Sequence, residues 1–175
     1  MSRRKCFPCT VPKQRQRCFS GGTALLGLGQ LDLDADQADA AIELLKHATS
    51  SAPTLVEAHE QLARAYGQAG DLPHALSELR AAALLKPDDP RLHSALAQRL
   101  TATGDLKEAT EEQRTALHLS ENDADGWNNL GALEARAGRT DAARADFEHA
   151  LRLQPDHTQA KANLQRLLSQ DPKSN

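Results

Sequence analysis

Three cysteines near the start of the chain have the spacing that most suggests chemistry. Cys6 and Cys9 form a Cys-x-x-Cys pair in the segment CFPC, and Cys18 lies further along the same segment. Such a pair can bind a metal ion or cycle between dithiol and disulfide. A zinc site needs a fourth ligand, but the nearest histidine is His47, and covalent haem attachment would need a histidine where Thr10 stands. We therefore expect no metal and no cofactor, and metal or redox binding through Cys6 and Cys9 stays an alternative.

The histidines are a second possible source of chemistry. His59 and His93 lie 34 residues apart, and Trp127, in the segment GWNNLGALEARAG, follows at the same interval. The shared interval predicts three equivalent packing positions with half-buried rings rather than a set of ligands. The sequence has no His-Glu-x-x-His motif, no Gly-x-Ser-x-Gly elbow and no phosphate-binding glycine loop. We therefore predict that the chain is not an enzyme and has no catalytic residues.

Composition indicates an all-α protein. Alanine and leucine recur throughout, aromatic residues make up 3% of the chain, and no segment alternates like a strand. The first 20 residues carry six basic residues and no acid, so the other residues hold 15 basic and 24 acidic side chains. This basic segment has little aromatic interleaving, so we expect no nucleic-acid binding. No apolar run is long enough for a membrane span, and we expect a cytoplasmic location.

The elements that position these residues repeat every 34 residues. The repeat gives units that begin at Gly22, Val56, Pro90 and Ala124. Position 7 of each unit is leucine, position 8 is glycine or alanine, and positions 20 and 27 are alanine. The small and leucine columns are Leu28, Leu62, Leu96 and Leu130; Gly29, Ala63, Ala97 and Gly131; Ala41, Ala75, Ala109 and Ala143; and Ala48, Ala82, Ala116 and Ala150. Small residues at these positions allow two helices to pack closely, so each unit is predicted to be a helix hairpin.

The repeat resembles the tetratricopeptide repeat (TPR) family over residues 22–170. The last unit fits the family pattern best, through Trp127, Leu130, Gly131, Ala143, Phe147, Ala150 and Pro155. Two units depart from it: the first has Asp32 and Asp36 where tyrosine and glycine are usual, and the third has Gln113 in place of an aromatic residue. The resemblance implies a right-handed superhelical array of antiparallel helix hairpins, about four units with a C-terminal capping helix.

The expected organisation has seven segments. Residues 1–21 form a basic, disordered tail, and residues 22–55 form a degenerate repeat unit. Residues 56–89, 90–123 and 124–157 form three further units, followed by a capping helix at 158–170 and a disordered tail at 171–175. Asp71, Asp105 and Thr140 stand where N-caps are expected, as does Asp156 before the capping helix.

Partner binding is expected on the first helix of each unit. In the family these helices line a concave groove, and positions 2, 5, 9 and 12 face into it; we call these positions the helix-A face. The residues of this face predicted to bind a partner are Glu57, Glu60, Arg64, Arg91, Ser94, Gln98 and Asn128, with Asn129 at its edge. Asparagine amides there could bond the backbone of an extended peptide.

One known ligand class of the family is not expected. Binding of acidic chaperone C-termini needs a set of lysine, arginine and asparagine residues at fixed positions of consecutive units. Those positions here hold Glu60, Arg64, Ala95, Asp125 and Asn129, so we predict no such carboxylate clamp. The favoured function is a non-enzymatic adaptor that binds a protein or peptide segment in the concave groove. The alternative is a regulatory or targeting repeat region of a larger enzyme or secretion system.

Overall fold

The computed structural model describes residues 21–170. The predictions for residues 1–20 and 171–175, including those for Cys6, Cys9 and Cys18, lie outside the described residues. The all-α prediction is confirmed, because residues 21–170 form α-helices and contain no strand. The helices are α1 (Gly22–Asp34), α2 (Ala38–Ser51), α3 (Val56–Gln68), α4 (Leu72–Leu85), α5 (Pro90–Thr103), α6 (Leu106–Leu119), α7 (Ala124–Arg136), α8 (Thr140–Leu153) and α9 (Thr158–Gln170).

The chain forms two compact units that divide between Lys86 and Pro87. Below, the first and second unit are these two bodies, and the 34-residue segments are called repeats. In the first unit, α1 packs on α2 and α3 packs on α4, while α3 also contacts α1 and α2. In the second unit, α5 packs on α6 and α7 packs on α8, with α7 also against α6. Helix α9 packs on α8 and touches α7. Each unit is therefore built from helix hairpins that share a core with their neighbours, as expected for repeats that cannot bury an apolar face alone.

Small residues decide how closely the helices of a hairpin approach. Each alanine in the two repeated alanine columns is buried, and most have no exposed surface. At position 8, a Cβ atom on Gly29 would lie 2.6 Å from the Leu45 side chain. A Cβ atom on Gly131 would lie 2.7 Å from the Phe147 ring. Position 8 on the first helix therefore faces position 24 on the second, and a small residue on one side admits a large one on the other.

The turns within the hairpins need one residue in the left-handed conformation. Gly70, Gly104 and Gly138 have φ angles of 79°, 92° and 76°. In the first hairpin, Asp36 stands at this position and takes a φ of 57°. Aspartate is among the non-glycine residues that enter this region most readily. The first hairpin therefore closes with the same kind of turn despite its departure from the repeat pattern.

The predicted N-cap position is right for Asp71 and Asp105 and wrong for Thr140. Asp71 caps α4 by accepting a hydrogen bond from the His74 backbone N–H at 3.2 Å. Asp105 is at the N-cap of α6, but its side chain makes no cap bond and accepts instead from the Thr103 hydroxyl at 3.1 Å. Thr140 was predicted as a cap and is the first residue of α8, because Arg139 takes the N-cap position.

The last helix is capped by a histidine rather than by Asp156. The Nδ1 atom of His157 accepts a hydrogen bond from the Ala160 backbone N–H at 3.3 Å. The other ring nitrogen, Nε2, lies 3.0 Å from a carboxylate oxygen of Asp125 on α7. Nδ1 is the accepting nitrogen of this ring, because a backbone N–H can only donate. The same side chain therefore begins α9 and attaches it to the preceding hairpin.

Candidate functional site

The helix-A face of the first unit carries Glu57, Glu60 and Arg64, all on α3. Glu57 is exposed and Glu60 is half-buried. The Arg64 guanidinium lies 3.5 Å from the Asp34 carboxylate at the end of α1, and about half of its side chain is exposed (49%). The intrachain carboxylate partly neutralises this cation, so Arg64 is a weaker anion site than an isolated arginine would be.

In the second unit, Arg91 is held by the aspartate that begins its own helix. The Nε–H and an Nη2–H of Arg91 donate to the two carboxylate oxygens of Asp89, at 3.1 and 2.7 Å. The same carboxylate accepts from the Arg91 backbone N–H at 3.1 Å, which makes Asp89 the N-cap of α5. The bidentate pair fixes the orientation of the guanidinium. Arg91 is therefore a positioned, largely exposed donor group.

A cleft of about 300 Å³ lies beside Arg91. We call it the Arg91 cleft, and it brings together three of the predicted partner-binding residues: Arg91, Ser94 and Gln98. Its other lining residues are Pro90, Ala95, Ser120 and Asp123. The lining therefore contains both hydrogen-bond donors and acceptors.

A second cleft, of about 190 Å³, shares Gln98 with the first. We call it the Gln113 cleft, because Gln113 on α6 lines it between α5 and α7. Its other lining residues are Ala97, Thr101, Asn129, Ala132, Leu133 and Arg136. Since Gln98 belongs to both clefts, they adjoin, and four of the predicted residues (Arg91, Ser94, Gln98 and Asn129) lie along one continuous surface of the second unit.

Asn128 is placed differently from the other predicted residues. Its side chain is buried (4% exposed), and its Oδ1 atom accepts a hydrogen bond from Nδ2 of Asn163 on α9 at 2.9 Å. The amide therefore joins the last hairpin to the terminal helix. This placement argues against direct contact between Asn128 and a partner. Asn129, by contrast, is half-buried and lines the Gln113 cleft.

Trp127 is a packing residue on another surface of the same hairpin. Its indole N–H donates to the Glu121 carbonyl oxygen at 2.8 Å. Its ring stacks on His149 with 4.1 Å between the ring centroids and 7° between the planes. The predicted structural role of Trp127 therefore has a physical basis in a stacked ring pair and a backbone hydrogen bond.

His59 and His93 form matching side-chain networks. The Nδ1–H of His93 donates to Glu112 at 2.7 Å, and its Nε2–H donates to the Pro87 carbonyl oxygen at 3.0 Å. His59 makes the same two contacts, with Glu78 at 2.6 Å and Pro53 at 3.0 Å. For His93, donation from both ring nitrogens at once corresponds to the protonated imidazole.

These contacts change the affinity of His93 for its proton. Burial alone would lower the pKa of His93, but the hydrogen bonds with Glu112 and with the Pro87 carbonyl outweigh burial and raise it. The sequence analysis found the histidine column but missed the glutamates that follow at a constant distance of 19 residues. The 34-residue period contained that signal, because glutamate recurs together with histidine.

The acidic side chains of the last hairpin are arranged differently from the His–Glu pairs of the two preceding hairpins. Glu134 on α7 is buried (1% exposed) and paired with Arg114 at 2.8 Å and with Arg139. Asp146 on α8 stands where Glu78 and Glu112 stand in earlier repeats. Burial, with a smaller contribution from the negative charge of Glu134, raises the pKa of Asp146 to about 6.

Between residues 21 and 170, no group of three or more His, Cys, Asp or Glu side chains could hold a metal ion. Within the same range, no helix combines the length and the apolar character that a bilayer span requires.

Known proteins resemble this chain in sequence pattern and in fold. Two family profiles described as tetratricopeptide repeat match residues 24–99 and 124–157. The comparison with curated proteins found no match. Among solved structures, the MamA protein superposes with a TM-score of 0.79 at 20% identity, covering 85% of this chain and 81% of that chain. YrrB, described as a TPR protein with an unusual peptide-binding site, superposes with a TM-score of 0.77 at 20% identity, covering 86% and 78%.

A third similar structure is the first TPR of Spaghetti (RPAP3), which is bound to an HSP90 peptide. It superposes with a TM-score of 0.62 at 18% identity, covering 65% of this chain and 90% of that one. Identities this low establish a shared fold and leave ligands undetermined. The family profiles, the repeated alanine columns and the hairpin turns agree with one another. The chain belongs to the tetratricopeptide repeat family.

Proposed function

We propose that this protein is a non-enzymatic adaptor that binds an extended segment of a partner protein across the second unit. The observation that carries the proposal is the pair of adjoining clefts that meet at Gln98. Four residues predicted from the repeat to bind a partner line these clefts, although they come from two helices. Concave surfaces with a few convergent polar groups are the usual sites of ligand binding.

The Arg91 cleft suits a peptide backbone. The exposed Arg91 guanidinium is oriented by Asp89, Ser94 offers a hydroxyl, and Gln98 offers an amide with both a donor and an acceptor. An extended segment presents alternating N–H and C=O groups, so such a mixed edge can bond several of them. Glu57, Glu60 and Arg64 lie on the first unit, and their predicted role in partner binding stays a prediction from the sequence.

The non-enzymatic part of the proposal draws support from how histidines are used. His59 and His93 each bond to a glutamate carboxylate of their own hairpin and to a proline carbonyl oxygen just before that hairpin. His149 stacks on Trp127, and His157 caps α9. Each ring thus has a structural partner.

Three of the sequence predictions remain predictions. These are the cytoplasmic location, the absence of a carboxylate clamp for chaperone C-termini, and the alternative role as part of a larger system. The clamp prediction can be tested by calorimetry with a peptide ending in Glu-Glu-Val-Asp. Micromolar affinity would contradict it.

The adaptor proposal can be tested with selected peptides. Peptides would be selected from a random displayed library against the full chain, and their Kd values measured by calorimetry. Gln98→Trp should weaken binding at least tenfold, because the added ring obstructs the point where the two clefts adjoin.

The matched control is Ala145→Trp, which adds the same ring at an exposed position on α8. It should leave binding unchanged. Equal affinity for the wild type and Gln98→Trp would refute the assignment of the site to these clefts. Circular dichroism of both variants would show that the helices are retained.

A further inference from the structure

Gln113 is the residue of the second unit that departs most from its repeat column. Position 24 holds Leu45, Leu79 and Phe147 in the other hairpins, and all three are buried apolar side chains. Gln113 is equally buried, with 1% of its surface exposed. The polar side chain therefore occupies a core position without reaching solvent.

Only one of the two polar atoms of the Gln113 side-chain amide has a hydrogen-bond partner. Its Nε2–H donates to the carbonyl oxygen of Gly126 at 3.2 Å. This contact fixes the orientation of the amide, because a carbonyl oxygen can only accept. The Oε1 atom is buried, and no described residue donates a hydrogen bond to it. A buried acceptor without a donor is unfavourable, so this group is one that a ligand could satisfy.

Gln113 lines a cleft whose surface is largely apolar. Ala97, Ala132 and Leu133 contribute the apolar surface of the Gln113 cleft. At 190 Å³ it is smaller than the pockets of about 300–1,000 Å³ that hold drug-sized ligands. The cleft is therefore the size of a site for one side chain of a larger partner.

The chemistry of the cleft narrows the choice of side chain. Phenylalanine or leucine would fill the apolar walls but leave Oε1 of Gln113 without a donor. Lysine or arginine would bring a charge into an apolar site beside the cation of Arg136, at a high desolvation cost. Serine and threonine are too short to cover the walls. Tyrosine and tryptophan combine a large apolar ring with a single donor group.

We propose that the Gln113 cleft is an anchor pocket for an aromatic side chain that carries a hydrogen-bond donor. The tyrosine O–H or tryptophan N–H of the partner segment donates to Oε1 of Gln113, and its ring packs on Ala97, Ala132 and Leu133. The inference deepens the proposed function, on which it rests, by naming the side chain that the partner contributes. Aromatic anchors in desolvated pockets are the residues that dominate binding energy in many interfaces.

Side-chain fragments provide a direct test on the full chain. p-Cresol, 3-methylindole and toluene would be titrated separately, with binding followed by NMR of the backbone amides and the Gln113 side-chain amide. p-Cresol and 3-methylindole should shift the Gln113 amide and the Ala132 and Leu133 signals. Toluene should bind about tenfold more weakly, because it leaves Oε1 without a donor.

The variant Gln113→Met keeps the length of the side chain and removes the amide. It should abolish the preference for p-cresol over toluene while retaining binding of both. A preference that survives in Gln113→Met, or toluene affinity equal to that of p-cresol in the wild type, would overturn the inference.

Peptide binding separates this inference from the adaptor proposal. If selected peptides lose affinity in Gln98→Trp but tolerate replacement of every tyrosine and tryptophan by phenylalanine, the adaptor proposal stands and the anchor is refuted. If those replacements weaken binding about tenfold in the wild type but not in Gln113→Met, the anchor is supported.

Discussion

Replacement of Gln113 by leucine should stabilise the second unit. The wild-type side chain leaves one buried acceptor without a donor, a deficit of about 1–3 kcal/mol. Leucine removes that acceptor and restores the residue type found at Leu45 and Leu79 in the first unit. The change also removes the bond to Gly126, whose net contribution is about 0.5–1.5 kcal/mol. Because Gly126 lies within α7, its carbonyl oxygen retains the bond that a helix provides.

The difference between these effects is a gain of about 1 kcal/mol in the free energy of unfolding. A gain of this size raises Tm by about 2–8 °C, depending on how much of the chain unfolds together. Calorimetry and denaturant titration at the same pH would measure it. The reciprocal change, Leu79→Gln, creates a polar side chain at the equivalent buried position of the first unit and should lower Tm.

A decrease in Tm for Gln113→Leu would refute this reasoning, because it would mean that the amide contributes more to the fold than it costs. Gln113→Ala provides a further comparison. It removes the same acceptor but leaves a cavity, so it should be less stable than Gln113→Leu by about 2 kcal/mol or more. Equal stability of the two variants would show that leucine does not pack into this position.

Three other substitutions test separate parts of the structure. Gly131→Ala puts a Cβ atom 2.7 Å from the Phe147 ring, so urea titration should show a loss of about 1–3 kcal/mol; no loss would mean that the ring moves freely. Asp146→Asn removes a carboxyl whose pKa is raised to about 6, so the wild-type carboxylate destabilises the fold as pH rises from about 4 through 6. The variant should therefore gain up to about 1 kcal/mol above pH 7, after allowance for solvent screening, and nothing below pH 4; a Tm difference independent of pH would contradict this. Asn163→Ala removes the donor to Asn128, so hydrogen exchange should accelerate throughout α9; unchanged exchange would show that the bond does not anchor this helix.

Most of the fold could be predicted because it follows from one repeated pattern. Alanine at positions 20 and 27 predicts where helices touch, and all eight alanines are buried. The turn at Asp36 shows why even the degenerate first repeat folds as a hairpin. The turn needs a single residue in the left-handed conformation, and aspartate can adopt it. Repetition makes these predictions robust, since each column is seen four times.

The candidate site was only partly predictable. Position numbering places Ser94 and Gln98 on the helix-A face and Asn129 at its edge, and the three side chains line adjoining clefts. Position numbering does not give the partners that a side chain finds inside its own chain. Asn128 is occupied by Asn163, which lies 35 residues later and outside the 34-residue repeats. Arg91 is held by Asp89, a contact that the two-residue spacing could have indicated.

The Gln113 cleft can be understood only when repeat positions 8 and 24 are considered together. Positions 8 and 24 face each other across a hairpin, and glycine faces a large side chain in two repeats: Gly29 faces Leu45 and Gly131 faces Phe147. In the third 34-residue repeat the corresponding pair is Ala97 and Gln113, and both of these residues line the cleft. A repeat is most stable when the side chains at these two positions fit together in size and leave no buried polar atom without a partner. A repeat that leaves a polar acceptor without a donor beside a cleft therefore departs from the optimum for folding. Such departures are expected where a surface serves binding, which is why this pair, rather than the tryptophan column, is the part of the repeat to test for function.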